Sequence, residues 1–324
     1  MNTVNRRFSV APMMDWTTPE CRYFLRLISK RALLYTEMVT TGAILYGDSA
    51  RFLRHDQSEH PLALQLGGSN PADLATCTKM AAAAGFDEVN LNVGCPSDRV
   101  QNNMIGACLM AHPQLVADCV RQMQDGVDIP VTVKHRIGIN GRDSYAQLCD
   151  FVGTVRDAGC TSFTVHARIA ILEGLSPKEN RDIPPLRYDI AAQLKTDFPD
   201  LEIILNGGIK TLEQCTEHLQ TFDGVMLGRE AYHNPWLLRD VDHQLFGDAQ
   251  REISRTEVLQ QLRPYLLQYM EQGGKATHVT RHILGLAQGF PGARRFRQLL
   301  SADIYKTDDP IQIFDQAVIG LEGR

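Results

Sequence analysis

Glu88-Val89-Asn90-Leu91-Asn92-Val93-Gly94-Cys95-Pro96 is the stretch on which the rest of the chain is organised. An apolar strand runs into an abrupt turn, and a thiol sits on that turn. Asn90 and Asn92 are two apart, so on a strand their side chains point to the same side. Cys95 follows where the strand stops, between a Gly and a Pro that both constrain the backbone. Two amides and a thiol therefore face one spot. A cysteine taken alone is more often a buried, inert packing residue, and the chain has 8 of them. Its surroundings are what give this one weight.

The pattern repeats outward from this strand. Further strands are expected at Phe8–Pro12, Leu33–Val39, Leu62–Leu66, Pro130–Lys134, Thr161–His166, Glu202–Asn206 and Asp223–Leu227. Between them run helical stretches. One opens at Thr17-Thr18-Pro19-Glu20 with proline at the first helical position, one follows Asn70-Pro71 and stops at Gly85, and others cover Pro113–Met123, Tyr145–Arg156 and Ile190–Asp197. Thr211-Leu212-Glu213-Gln214 fits a capping box. The strands are short and apolar, as strands buried on both faces should be. About eight strand–helix alternations over roughly 240 residues predict an α/β fold, a (β/α)8 TIM barrel. A doubly wound sheet competes, but no G-x-G-x-x-G follows the first strand. Past Trp236 the strand signal ends. Glu257–Glu271, His278–Gln288 and Ala293–Leu300 read as helices, broken at Gly273-Gly274 and Pro291-Gly292. The expected division is a barrel over residues 1–240 and a small all-helical C-terminal domain over 250–324.

The totals fit an ordinary globular protein of 324 residues, 44% hydrophobic and 22% charged. No apolar run approaches the roughly 18 residues needed to span a bilayer, and no signal peptide is visible. The cysteines are scattered, with no C-x-x-C pair and no Cys/His set at zinc spacing. Scattered thiols predict a reducing cytoplasm. A net charge of −5 weighs against a general nucleic-acid binder, although it permits a local basic face.

Barrel enzymes place their chemistry at the C-terminal strand ends. In order these ends carry Pro12-Met13-Met14, Glu37, Gln65, Asn92 with Cys95, Lys134 with Arg136, His166 with Arg168, Asn206-Gly207-Gly208, and Gly228-Arg229. The loops after the last two strands often form a phosphate cradle. Gly207, Gly208 and Gly228 allow backbone N–H groups to approach a phosphate, and Arg229 adds a charged fork. Lys134 must be paired or must touch a ligand; a Schiff base and an anionic ring system are both open. With Gln65, which offers a donor and an acceptor, it can read a flavin edge. His166 is open between a phosphate contact and a core role. His135 points to the opposite side of its strand and is structural.

Taken together, Ala11-Pro12-Met13-Met14, Gln65, Asn90 through Pro96, Lys134-His135-Arg136, His166-Ala167-Arg168, Asn206-Gly207-Gly208 and Gly228-Arg229 resemble the tRNA-dihydrouridine synthases. The resemblance covers most of the chain, including the helical tail. The long loop after strand six and the run Pro291-Gly292-Ala293-Arg294-Arg295-Phe296 look most like subfamily A. The resemblance implies FMN as prosthetic group, NADPH as reductant, and reduction of the uracil C5–C6 double bond at uridines 20 and 20a in the tRNA D loop. By the same analogy Pro12, Met13, Met14, Gln65, Lys134, His166, Asn206, Gly207, Gly208, Gly228 and Arg229 hold FMN, Cys95 is the proton donor, and Asn92 binds the target base. Hydride reaches uracil C6 from the reduced flavin, and a general acid must protonate C5 from the other face.

The base must leave its stack to react, which costs least in a loop. Lys178, Arg181 and Arg187 lie in the loop after strand six. Arg294 and Arg297 share a helix face, with Arg295 and Phe296 beside them and Lys275 and Arg281 behind. Both segments are expected to grip tRNA; a solvated surface is the alternative. No obligatory protein partner is indicated. The rival functions are a flavin barrel acting on a free pyrimidine such as dihydroorotate, a tRNA-binding factor without turnover, and a Schiff-base aldolase on Lys134.

Overall fold

The computed structural model describes residues 4–97 and 103–322. Eight parallel strands close into a barrel in sequence order. They are β1 Phe8–Val10, β2 Leu33–Thr40, β3 Leu62–Gly67, β4 Glu88–Val93, β5 Val131–Arg136, β6 Ser162–His166, β7 Glu202–Asn206 and β8 Gly224–Leu227. Closure is made by β1 against β8, with Phe8 opposite Val225 and Val10 opposite Leu227.

The period-two alternation of the strands divides two environments. On β4 the outward residues Val89, Leu91 and Val93 are 0% exposed and pack under the surrounding helices, each contributing about 1.5–3 kcal/mol by burial. The inward residues Glu88, Asn90 and Asn92 are also buried, but they bond across the lumen. Thr132, Lys134 and Arg136 do the same on β5. The expectation of strands apolar on both faces is therefore corrected. The inner face of these two strands is polar, and only a small apolar cluster of Ala11, Leu33, Tyr35, Ala63, Ile204 and Met226 fills the lumen beside it.

Local signals set most helix ends. Thr18 caps the helix Pro19–Ile28 by accepting from Cys21 N, and Asn70 caps Pro71–Ala84 by accepting from Ala72 N and Asp73 N. That helix ends at Gly85, whose φ of +95° few other residues adopt. The capping box expected at Thr211 is half made. Thr211 Oγ1 accepts from Gln214 N, but the Gln214 side chain accepts from Lys210 N instead of the cap residue. Between β2 and β3, where the sequence pattern predicts no helix, two short ones lie at Thr41–Tyr46 and Ser49–Phe52.

Beyond Val241–Phe246 the chain is helical: Arg255–Glu271, Ala276–Thr280, Ala293–Ser301 and Pro310–Ile319. The single helix expected over His278–Gln288 is replaced by a short helix and a 3-10 turn at Leu284–Ala287. A Cβ at Gly285 would lie 2.4 Å from His233 O, so the chain packs directly onto the segment after β8 here. The helix Pro310–Ile319 lies beyond those expected from the sequence, although Asp309 caps it and Pro310 opens it. The helical segment is fastened to the barrel by Tyr23 stacked on Tyr265 at 4.1 Å, and by Arg281 donating to Asp15 O. No helix among the described residues is long and apolar enough to cross a membrane.

Candidate active site

The C-terminal strand ends converge on one mouth. Cys95 lies there, half-buried, and its backbone is fixed from two sides. Asn92 Oδ1 accepts from Gly94 N at 3.1 Å and from Cys95 N at 3.0 Å. Cys95 O accepts from Ala107 N at 2.8 Å, and Gly106 packs so closely that a Cβ there would lie 2.4 Å from Cys95 O. Five other cysteines are buried. Burial pushes the thiols of Cys119, Cys160 and Cys215 up to about 12, which leaves them inert.

Lys134 stands in register with Asn92 on the neighbouring strand. Its Nζ donates to Asn206 Oδ1 at 3.1 Å, and Asn206 Nδ2 donates to Met226 O. Burial, reinforced by Arg136 and opposed by Cys95, lowers the Lys134 ammonium to about 7. Arg136 is buried and donates to three carbonyls, those of Gly94, Ile169 and Asn180. It thereby ties the Cys95 turn to the long loop after β6. His166 packs on Gly207, where a Cβ would lie 2.6 Å from the ring. Burial, then Arg136, Lys134, Arg168 and Arg181, hold its imidazole well below the ordinary histidine range, so it is neutral. His135 faces outward against Phe151 and Phe163, as its position on the strand predicts.

The remaining expected cofactor residues line the same mouth in different ways. Pro12 and Met13 are half-buried and Met14 is exposed. Gln65 is buried, donating to Asn90 and accepting from Asn92. Gly207 and Gly208 both take positive φ, and a Cβ on Gly208 would meet Leu186 Cδ1 at 2.4 Å. Gly228 precedes the short helix Arg229–His233. Arg229, expected to add a charged fork to the phosphate cradle, pairs its guanidinium with Asp182 at 2.7 Å. Arg168 carries a buried Nε with no hydrogen-bond partner among the described residues. Asn92 is likewise more committed than a simple base-binding residue: its oxygen serves the Cys95 turn and its nitrogen donates to Gln65.

Of the residues expected to hold RNA, Lys178 and Arg181 are exposed beside the mouth, whereas Arg187 pairs with Asp189. Arg294 and Arg297 are exposed on the helix Ala293–Ser301 and have no carboxylate partner among the described residues. Arg295 pairs with Asp303, and Phe296 is buried core, so neither belongs to that face. Arg281 is used in the junction with the barrel. The sequence places Arg136 at the end of β5 without assigning it a role, and singles out neither Thr132 nor Glu88. Thr132 lies two residues before Lys134 and so shares its face, a signal that was available.

A closed parallel barrel whose mouth gathers Lys134, Arg136, Arg168 and Arg181 around a half-buried thiol defines a barrel enzyme built for an anionic ligand. A dihydrouridine synthase family model matches residues 9–319. A tRNA-dihydrouridine(20/20a) synthase of Pseudomonas syringae pv. tomato is 76% identical over 321 residues, covering 99% of this chain and 96% of the relative. Proteins of the same description from Pseudomonas aeruginosa (74% identical over 321 residues, 99% of this chain and 97% of the relative) and Escherichia coli K12 (57% over 313 residues, 96% and 90%) also match. The chain belongs to the dihydrouridine synthase family.

Proposed function

We propose that this chain reduces uridine to 5,6-dihydrouridine in the D loop of tRNA at positions 20 and 20a, with FMN in the barrel mouth and NADPH as the source of electrons. Family membership supports the reaction, and the relatives' shared description supports the positions. The observation that carries the reading is the half-buried Cys95 thiol at a cation-lined mouth.

The mouth fits a flavin mononucleotide. Beyond its bonds to Asn90 and Asn92, Gln65 keeps one N–H and one lone pair; among the described residues Lys134 has no carboxylate partner and the buried Arg168 Nε no hydrogen-bond partner. Pro12, Met13 and Met14 offer apolar contact, and His166, Asn206, Gly207, Gly208 and Gly228 form the far wall, with Arg229 acting through Asp182. Bound FMN supplies the hydride that uracil C6 receives. Cys95 holds at Sγ the proton that goes to C5, and regains one from solvent. Lys134 and Arg136 oppose the negative charge that develops on the base before C5 is protonated. The remaining N–H of Asn92 Nδ2 is left for a base carbonyl. Lys178 and Arg181 at the mouth, and Arg294 and Arg297 on the helical segment, contact phosphates of the folded RNA. In this reading residues 1–240 form the catalytic unit and 250–324 the tRNA-binding unit, working in the cytoplasm.

The test is reconstitution. Purified protein with FMN and NADPH should convert uridines 20 and 20a of an unmodified tRNA, mapped by dihydrouridine-specific cleavage. Conversion of free pyrimidines in preference to tRNA, or of other uridines, contradicts the proposal.

A further inference from the structure

An unbroken line of hydrogen bonds runs through the barrel from the Cys95 turn to its floor. Gly94 N and Cys95 N donate to Asn92 Oδ1. Asn92 Nδ2 donates to Gln65 Oε1 at 2.7 Å, Gln65 Nε2 to Asn90 Oδ1 at 2.8 Å, and Asn90 Nδ2 to Thr132 Oγ1 at 2.9 Å. Thr132 Oγ1 donates to Glu88 Oε1 at 2.6 Å. Glu88 also accepts from Tyr35 OH and from Arg6 Nε, and Arg6 reaches on to Glu202. Glu88 to Asn92 is four strand steps, about 13 Å. Exposure along the line is 8% or less: Asn92 8%, Thr132 3%, Gln65 1%, Asn90 and Glu88 0%.

Every donor in this line points away from the thiol and toward the carboxylate. Both ends force that direction independently. A carboxylate only accepts, so the single hydroxyl proton of Thr132 goes to Glu88 and its lone pair must receive Asn90 Nδ2. Asn90 then turns its oxygen to Gln65, and Gln65 turns its oxygen to Asn92. At the other end two backbone N–H groups require the Asn92 oxygen. No amide can flip without leaving buried donors and acceptors unpaired. A lumen filled with branched apolar side chains would pack such a barrel without polar groups to satisfy.

We propose that Thr132 and Glu88 are positioning residues for the Cys95 thiol: the line they anchor holds the Asn92 side chain in place from the barrel floor, and the Asn92 oxygen holds the Cys95 turn. This rests on the reading of Cys95 as proton donor.

Thr132→Val keeps the shape and removes both hydrogen bonds; Thr132→Ser keeps both. The measurements are kcat and KM for tRNA, and the rate of Cys95 alkylation by iodoacetamide across pH, followed on the Cys95 peptide. T132V should lower kcat about 10- to 100-fold with KM for tRNA unchanged within about twofold, the loss expected from a displacement near 1 Å. It should also change the alkylation rate several-fold, while T132S restores both. If T132V does not fold, Glu88→Gln, which places N–H groups where acceptors are required, should give the same selective loss of kcat. Wild-type kcat and alkylation in the folded variant overturn the proposal, as does equal impairment of T132V and T132S. The alkylation comparison stands even if Cys95→Ala retains turnover, so failure of the proton-donor reading is read separately.

Discussion

Lys134→Met tests the electrostatic design of the mouth most directly. In the folded chain the Lys134 amine titrates at about 7 against an ordinary value of 10.5, chiefly because burial disfavours the ammonium. At about 1.4 kcal/mol per tenfold change, that gap is about 5 kcal/mol of disfavour toward the charged form. Between about 7 and 10.5 the unfolded chain holds a proton that the folded chain has released, so stability rises with pH across this window. Below about 7 both states hold it, and the full cost of the buried ammonium is present. Methionine removes that cost and also the bond to Asn206, worth about 1 kcal/mol. Allowing for water at the open mouth, flavin-free K134M should be about 2–4 kcal/mol more stable than wild type at pH 6–7, about 3–6 °C in Tm. The gain should fade by pH 10. The same variant should lose flavin affinity. For wild type, FMN binding should weaken by up to about tenfold for each pH step above 7, because the complex requires the protonated amine; K134M should show no such slope. The assays are thermal melts of flavin-free protein from pH 6 to 10 and FMN titration by fluorescence quenching. An unchanged or lower Tm of K134M at pH 6–7, or pH-independent FMN binding by wild type, refutes the reasoning.

Three further outcomes follow from the geometry. Cys95→Ala should keep FMN and tRNA binding and lose at least about 10²-fold in single-turnover rate, the usual worth of a positioned acid; turnover within about threefold of wild type rules that role out. Arg294→Glu with Arg297→Glu should weaken tRNA binding and reduce the slope of log affinity against log salt by about 2, whereas unchanged filter binding removes this face from the interface. Gly208→Ala places a methyl 2.4 Å from Leu186 on backbone of positive φ, so it should lower Tm and flavin content together; a variant that retains full flavin absorbance contradicts the tight wall.

Several elements were legible because their signals are local. The turn Gly94-Cys95-Pro96 marks the end of β4, and Thr18-Pro19 and Asn70-Pro71 mark helix starts within a few residues of sequence. Asp309-Pro310 carried the same signal at the last helix. The break between Ala276–Thr280 and Leu284–Ala287 had no local mark, and there Gly285 packs against His233 of another segment. Phe296 read as part of a basic face, yet helix periodicity sends it inward with Leu299 and Leu300.

The order of strands, the closed barrel and the roster of polar groups at its mouth are thus determined by sequence alone, because alternation and strand ends repeat at short range. Tertiary structure decided what each polar group is bonded to. Arg229 is held by Asp182, 47 residues away, and Arg6 by a carboxylate 82 residues away. A hydrogen bond's partner and an ammonium's solvation are set by what folding brings within about 3 Å, and residues so distant in the chain carry no mark of each other.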